Sequence, residues 1–252
     1  MSEPVDLLNA QWRNIVMLNY IVEPVVFARY LPDGLELDTH HDRHFLSVIG
    51  QMVQDVHVAG VSDPLHKEFE QVSLRFYVKR PLAAGGFNRG VVYIKQVVPD
   101  ALPVVAARAI YNESFVQMPM RHEIWPPGAG AKAIGMFDYY FAQDDEPNAT
   151  WHRIHAATHD ASRNMQIDSK EEFLTDRGWG YSGGPGITTL EYRIEHAKWR
   201  YFPATHSKLE CDVMQVFGRE FVPYINGSPD LAFVAEGSEI AIHLPHGLDQ
   251  IP

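Results

Sequence analysis

The chain has 252 residues, 46% hydrophobic and 21% charged, which is enough apolar material to bury a sizeable core. Its 21 Lys and Arg against 32 Asp and Glu give a net charge of −11. With no run of basic residues, that balance argues against nucleic acid or an anionic membrane as a partner, because phosphate binding needs clustered cations.

The single cysteine, Cys211, rules out an intrachain disulfide and reads as a buried apolar thiol. The first residues, MSEPVDLLNAQWRN, lack the basic start and apolar core of a signal peptide, and no apolar run reaches 18 residues. The expected location is therefore the cytoplasm. The sequons at Asn112, Asn148 and Asn226 read as chance matches.

In chain order, Trp12 to Glu23 reads as a strand ended by Pro24, followed by a short helix over 25–30. A turn and a short strand fill 31–38. Phe45 to Val58 reads as a long strand bent near Gly50, and Gly60 to His66 as a loop. Glu68 to Arg80 alternates clearly. One face carries Glu70, Val72, Leu74, Phe76 and Val78, the other Gln71, Ser73, Arg75, Tyr77 and Lys79. The next stretch, Gly90 to His122, reads as strand, helix, strand. The helix has Asp100 as N-cap, Pro103 in its first turn, and Leu102, Val105, Ala106, Ala109 and Ile110 on one face. It stops at Tyr111-Asn112, where Asn tolerates a left-handed cap.

Beyond the helix, 131–143 and 150–158 form a hairpin of strands, Ser169 caps a short helix to Thr175, and the Gly-rich run 177–186 is a loop. Strands are expected over 187–195, 198–205, 208–217, 232–236 and 240–244, with a short helix around 215–224. Strands outnumber helices, and no repeat or linker interrupts them. The expectation is one α+β domain over residues 1–252, mainly antiparallel β.

Three constellations could carry chemistry. Glu70 shares a strand face with apolar residues, where a carboxylate must be paired or protonated; a structural pair with an arginine is the alternative. Glu113, Arg121 and His122 follow the central helix. Glu113 and His122 could serve as acid and base and Arg121 as an anchor for a carboxylate, or the three could be structural. The 13 histidines include His40, His41 and His44 in a turn, and His152, His155 and His159. The last three share a face only if 150–160 is helical, and a strand disperses them; no H-E-x-x-H motif is present. GGPG at 183–186 lacks the Lys-Ser/Thr of a phosphate loop, and no G-x-S-x-G elbow occurs.

The runs NYIVEPVVFARYLPDGLELD, FEQVSLRFYV, RGVVYIKQVVP, ARAIYNESF, GWGY, YRIEHAKW and AEGSEIAI resemble the YqjF-like family, grouped with the acetoacetate-decarboxylase-like fold. The resemblance covers nearly the whole chain. It implies a cone- or barrel-like sheet with an internal cavity into which Glu70 points. In acetoacetate decarboxylases a lysine pair at the end of the corresponding helix supplies a Schiff-base nucleophile. Those lysines fall at Glu113 and Ser114, after Tyr111 and Asn112, and the family's arginine falls near Ile21. The machinery for an imine is thus replaced, and Lys95 reads as solvent-facing.

The combined expectation is an imine-independent lyase or hydro-lyase for a small carboxylate or keto acid. Glu70 and Glu113 would face each other across the cavity, Tyr111 and His122 would assist proton transfer, and Arg121, Arg75 and Ser114 would bind substrate. Two alternatives stand beside it: a non-enzymatic protein holding a small ligand in the same cavity, and a histidine metal site. No cofactor and no resident metal are expected. The partner is a small molecule, with a homo-oligomer left open.

Overall fold

The computed structural model describes residues 6–59, 68–100, 110–128 and 134–248. Strands dominate: β1 (Asp6–Ile21), β2 (Glu36–Leu37), β3 (Phe45–Val58), β4 (Glu68–Pro81), β5 (Phe87–Val98), β6 (Phe115–Gln117), β7 (Met120–Trp125), β8 (Gly135–Ala142), β9 (Trp151–Thr158), β10 (Arg163–Asn164), β11 (Trp179–Gly184), β12 (Ile187–His196), β13 (Arg200–Glu210), β14 (Leu231–His243) and β15 (His246–Gly247). The described helices are short: α1 (Lys170–Thr175), α2 (Val213–Val216) and α3 (Val222–Ile225), with 3₁₀ turns at Pro24–Phe27 and Arg219–Phe221. Among the described residues no helix is long and apolar enough to cross a membrane.

The strands pair in the order β15-β12-β11-β5-β4-β3-β1-β14-β13-β9-β8-β7. β12 also pairs with β14, Ile194 opposite Ile242, so the path from β14 through β1, β3, β4, β5, β11 and β12 returns to β14. Most pairings are antiparallel, but β11 and β6 each join β5 in parallel.

β4 shows why both sides of this sheet are covered. Its even residues Val72, Leu74, Phe76 and Val78 are fully buried in one apolar cluster with Phe137, Tyr139 and Phe141 of β8 and Ile154 of β9. Tyr77, of the odd set, packs in a second cluster with Phe45, Phe173, Leu174, Tyr192 and Trp199. The second side is more polar: Ser47, Asn19 and Tyr77 share hydrogen bonds of 2.6 Å, Ser47 Oγ donating to Asn19 Oδ1 and lying against Tyr77 Oη.

β1 changes sides partway. Ala10 and Trp12 face the second cluster, and so do Ile15 and Met17, which requires one extra residue between them. The register against β3 shifts between Arg13 and Val16, and Asn14 there has φ 53°. Gly50, expected to bend β3, lies opposite Val16 at this irregularity. A Cβ on Gly50 would sit 2.6 Å from the Tyr139 ring, and Tyr139 Oη donates to Asn14 O at 2.7 Å. The distortion sits in β1, and Gly50 makes room for the tyrosine that fastens it.

The strands at 45–58, 68–80 and 150–158, the Ser169-capped helix and the left-handed Asn112 (φ 50°) match the sequence expectation. Ile110 and Tyr111 are helical, but the rest of the expected helix, the loop 60–66 and the start of the 131–143 strand lie outside the described residues. Three expectations are corrected. Residues 177–186 are no loop: 179–184 form β11, whose glycines admit bulky neighbours. The two strands expected over 198–217 are one, β13, followed by α2; its register shift between Ala204 and His206 lets it pair with β14 first and β9 afterwards. The two expected over 232–244 are also one, β14, because Gly237 (φ 83°) carries the chain past Trp12 O without ending the strand.

Candidate functional site: a buried carboxylate after the turn at Asn112

Glu113 follows the left-handed turn at Asn112, and its neighbour's carbonyl, Ser114 O, accepts from Gln96 N of β5 at 2.8 Å. This contact and the parallel pairing of β6 with β5 fix the segment along β5 and direct Glu113 inward, where it is buried. Two neutral donors meet its carboxyl: Gln96 Nε2 on Oε2 and Tyr192 Oη of β12 on Oε1. Burial pushes Glu113 up to about 7, against the lowering effect of the Tyr192 and Gln96 hydrogen bonds. The group is thus poised between carboxylic acid and carboxylate at neutral pH.

Tyrosines surround it. The Tyr111 ring meets Tyr192 edge-on at 4.8 Å, and Tyr111 Oη donates to His243 O at 3.2 Å. Tyr111 O in turn accepts from Ser182 Oγ of β11. Tyr93 of β5 interacts with both Glu113 and Arg75. Burial first, and then the charge of Glu113, raise the hydroxyls of Tyr111 and Tyr192 above the ordinary range, so both remain protonated donors.

Arg75 lies on the same side of β4 as Gln71 and is buried. Its Nη2 donates to Leu174 O of α1 at 2.9 Å, while its Nε has no partner. Its guanidinium carbon lies 5.6 Å from the Tyr77 ring centroid, and the Tyr77 and Tyr93 hydroxyls act on it by charge and hydrogen bonding, against the lowering effect of burial. A buried guanidinium with its Nε donor unpartnered is suited to a small anion.

The other expected site residues lie elsewhere. Glu70 and Gln71 are adjacent on a regular stretch of β4, so their side chains leave opposite faces. Gln71 is hydrogen-bonded to Gln96 at 2.7 Å, on the Glu113 side; Glu70 binds His122 Nδ1 at 2.6 Å, on the other side. The expected arrangement of Glu70 facing Glu113 is therefore corrected by strand alternation, and His122 accompanies Glu70. Arg121 lies exposed on β7, with its guanidinium 4.7 Å from the Tyr140 ring and 4.6 Å from Trp151. Ser114 is exposed. Of the expected set, Glu113, Tyr111 and Arg75 share one side of the sheet.

Lys95, expected to face solvent, donates to Val216 O on the far side of β5, and partial burial lowers its pKa. Burial raises the Cys211 thiol to about 12, in keeping with an inert thiol. His152 and His155 lie on a strand, not a helix; His155 is bound to Asp138 at 2.7 Å, and His152 lies against the Phe141 ring. Among the described residues, no group of three potential metal ligands comes together.

Sequence reasoning missed Gln96, Tyr192, Tyr93 and Gln71. Their only local signal was polar residues at regular spacing on strand faces, and their convergence depends on the β4–β5 and β11–β12 registers. A pocket of about 150 Å³ was also missed. It lies beside α1 and is lined by Met165, Thr175, Asp176, His196, Lys198 and Trp199, among others. His196 stacks on Trp199 at 4.6 Å, and burial lowers its pKa, with the charge of Arg75 adding to the effect.

The fold has solved counterparts. The enduracididine biosynthesis enzyme MppR complexed with pyruvate is 14% identical, with a TM-score of 0.64 over 98% of this chain and 92% of that one. An acetoacetate decarboxylase-like enzyme from Sphingomonas wittichii RW1 is 11% identical, with a TM-score of 0.65 over 97% and 93%. The acetoacetate decarboxylase of Legionella pneumophila is 9% identical, with a TM-score of 0.62 over 97% and 87%. At these identities the likeness shows the fold alone. No curated protein matches the chain in sequence. The family model DUF2071, described as an uncharacterized conserved protein, matches residues 9–239, and the chain belongs to that family.

Proposed function

We propose that this protein is a lyase-type enzyme for a small carboxylate or keto acid that works without an imine, with Glu113 as its proton-carrying group. The observation that carries the reading is Glu113 itself: buried, held by two neutral donors, and with a pKa raised to about 7. Arg75 supplies the cation for the substrate carboxylate, and the Tyr93, Tyr111 and Tyr192 hydroxyls remain protonated beside it. The single domain over 1–252 and an enclosed chamber on this side of the sheet belong to the same proposal, as does a cytoplasmic location.

The chemistry follows from the groups. A carboxylate at Glu113 removes a proton next to a substrate carbonyl, and Arg75 with a tyrosine hydroxyl stabilises the negative charge that develops on oxygen. Returned as an acid, Glu113 protonates a leaving hydroxyl or the same carbon. In the resemblance drawn from the sequence, Glu113 stands in for a decarboxylase lysine, and on this reading an acid–base group takes the nucleophile's position. That a fold relative is complexed with pyruvate supports 2-oxo acids as the first class to try.

The test is exchange of the pyruvate methyl protons in D₂O, followed by proton NMR, extended to other small 2-oxo and hydroxy acids. The expected result is catalysed exchange or elimination that falls by roughly 10²–10⁴-fold in Glu113→Gln, the range of general acid–base effects. Saturable binding of these acids with neither exchange nor elimination would replace this reading with the ligand-holding one. A covalent adduct after borohydride treatment with pyruvate would overturn the imine-free mechanism.

A further inference from the structure

Three glutamines on adjacent strands lead to Glu113. Gln51 of β3 and Gln71 of β4 are direct cross-strand partners, and Gln51 Nε2 donates to Gln71 Oε1 at 2.8 Å. Gln71 Nε2 donates to Gln96 Oε1 on β5 at 2.7 Å, and Gln96 Nε2 donates to Glu113. Every bond runs in the same direction, and Gln51 and Gln96 are buried.

The direction has a chemical cause. A carboxylate only accepts, so Gln96 must turn its NH₂ to an ionised Glu113 and its oxygen away. That oxygen needs a donor, which Gln71 supplies, and the oxygen of Gln71 is supplied by Gln51. A carboxylic acid, by contrast, can donate, and a Gln96 turned the other way would suit it equally. The orientation of the amides therefore selects between the two forms of Glu113.

We propose that Gln71 and Gln51 are positioning residues, which act through Gln96 to favour the ionised form of Glu113. The proposal rests on the reading of Glu113 as the proton-carrying group, but it concerns only that group's titration and stands apart from any turnover. The titratable and charged groups facing Glu113 are Tyr93 from β5, Tyr192 from β12 and Tyr111 from its own segment, with Arg75 of β4 reached through Tyr93. None of them contacts Gln51 or Gln71 by a hydrogen bond seen among the described residues, so the amide chain can be altered separately.

The experiment follows the Glu113 carboxyl by ¹³C NMR across pH 5–9 in the full chain. Gln71→Met keeps length and volume but removes the donor to Gln96. It is expected to raise the Glu113 midpoint by about one pH unit at most, because Gln96 is then free to turn its amide and give up its charge-assisted hydrogen bond to Glu113. Gln51→Met is expected to raise it by less. In the unaltered protein, the side-chain ¹⁵N resonances of Gln71 and Gln51 are expected to titrate with the Glu113 midpoint. This second measurement decides the matter if Gln71→Met does not fold. A midpoint unmoved in a folded Gln71→Met protein, or glutamine amides that do not follow Glu113, would overturn the proposal. Lost turnover with the midpoint unchanged would not support it.

Discussion

Glu70 and Gln71 are consecutive residues of β4, yet one binds His122 on one side of the sheet and the other leads to Glu113 on the opposite side. Two carboxylates can drive each other's pKa apart only when they share a site. Here a layer of backbone separates them, so the rise in Glu113 must come from burial and not from Glu70. Glu70→Gln is expected to leave the Glu113 midpoint unchanged, while Tyr192→Phe, which removes a donor to the carboxylate, raises it by about one unit. Carboxyl ¹³C NMR of the two variants checks this; a fall in the Glu70→Gln protein would restore the coupled pair.

Glu113 also makes stability depend on pH. Its folded pKa, about 7, lies above the ordinary 4.5. Between those values the folded state holds a proton that the unfolded chain has released, so stability falls as pH rises from about 4.5 to about 7. Below this window both states are protonated and the penalty is absent; above it the penalty is complete, on the order of 3 kcal/mol. Glu113→Gln is expected to lose this slope and to unfold at higher urea concentration than the unaltered protein at pH 8. Urea titrations at pH 5 and pH 8 provide the comparison, and parallel losses in both proteins would contradict it.

Gly180 of β11 lies opposite Tyr192 of β12, and a Cβ there would fall 2.1 Å from the tyrosine ring. The ring would have to move, taking its hydroxyl off Glu113. Gly180→Ala is therefore expected both to destabilise the fold by about 2 kcal/mol or more and to reproduce the titration shift of Tyr192→Phe. Calorimetry and carboxyl NMR on one sample measure both effects. A destabilised protein with the Glu113 midpoint unchanged would separate the glycine from the site.

Arg177 and Asp38 form an ion pair at 2.6 Å, both nearly devoid of solvent contact, and Arg177 Nε donates to Phe173 O at 2.6 Å. The pair ties α1 to the segment that precedes β3. Arg177→Met leaves the buried carboxylate with the more distant Arg89 Nε at 3.5 Å and Thr39 N at 3.0 Å, and is expected to cost about 3 kcal/mol, the low end for breaking a buried pair. Asp38→Asn combined with Arg177→Met should recover part of that loss. Chemical denaturation of the single and double variants tests the coupling, and additive losses would refute it.

The sequence disclosed the long strands because their alternation is local. The even residues of β4 from Val72 to Val78 show this plainly. It did not disclose β11, since Gly180, Gly183 and Gly184 suggest a loop until Tyr192 is known to lie against one of them. Nor did it show that His206 and Gly237 lie within continuous strands, because each is accommodated through a register shift or a left-handed residue that only the neighbouring strand makes visible. In the site, Glu113 could be found from its place after the helix and Arg75 from its strand face. The pairing of Glu70 with Glu113 was misread because alternation fixes which residues share a face, but the face that Glu113 approaches is set by β6 joining β5. Gln96 and Tyr192 depend entirely on such distant pairings.

The position of β1 has a consequence for how the chain is made. It is hydrogen-bonded on one side to β3, which follows soon after, and on the other to β14, Asn19 opposite Leu231. At ordinary translation rates, roughly 10–40 s pass between the emergence of these two strands from the ribosome. Throughout that interval the nascent protein carries a long, apolar strand with one open edge, a template for pairing with other chains. The strands that bring Gln96 and Tyr192 to Glu113 join into a closed circuit only when residues 231–243 arrive, so the open edge of β1 is the place where a nascent chain is most exposed to mispairing.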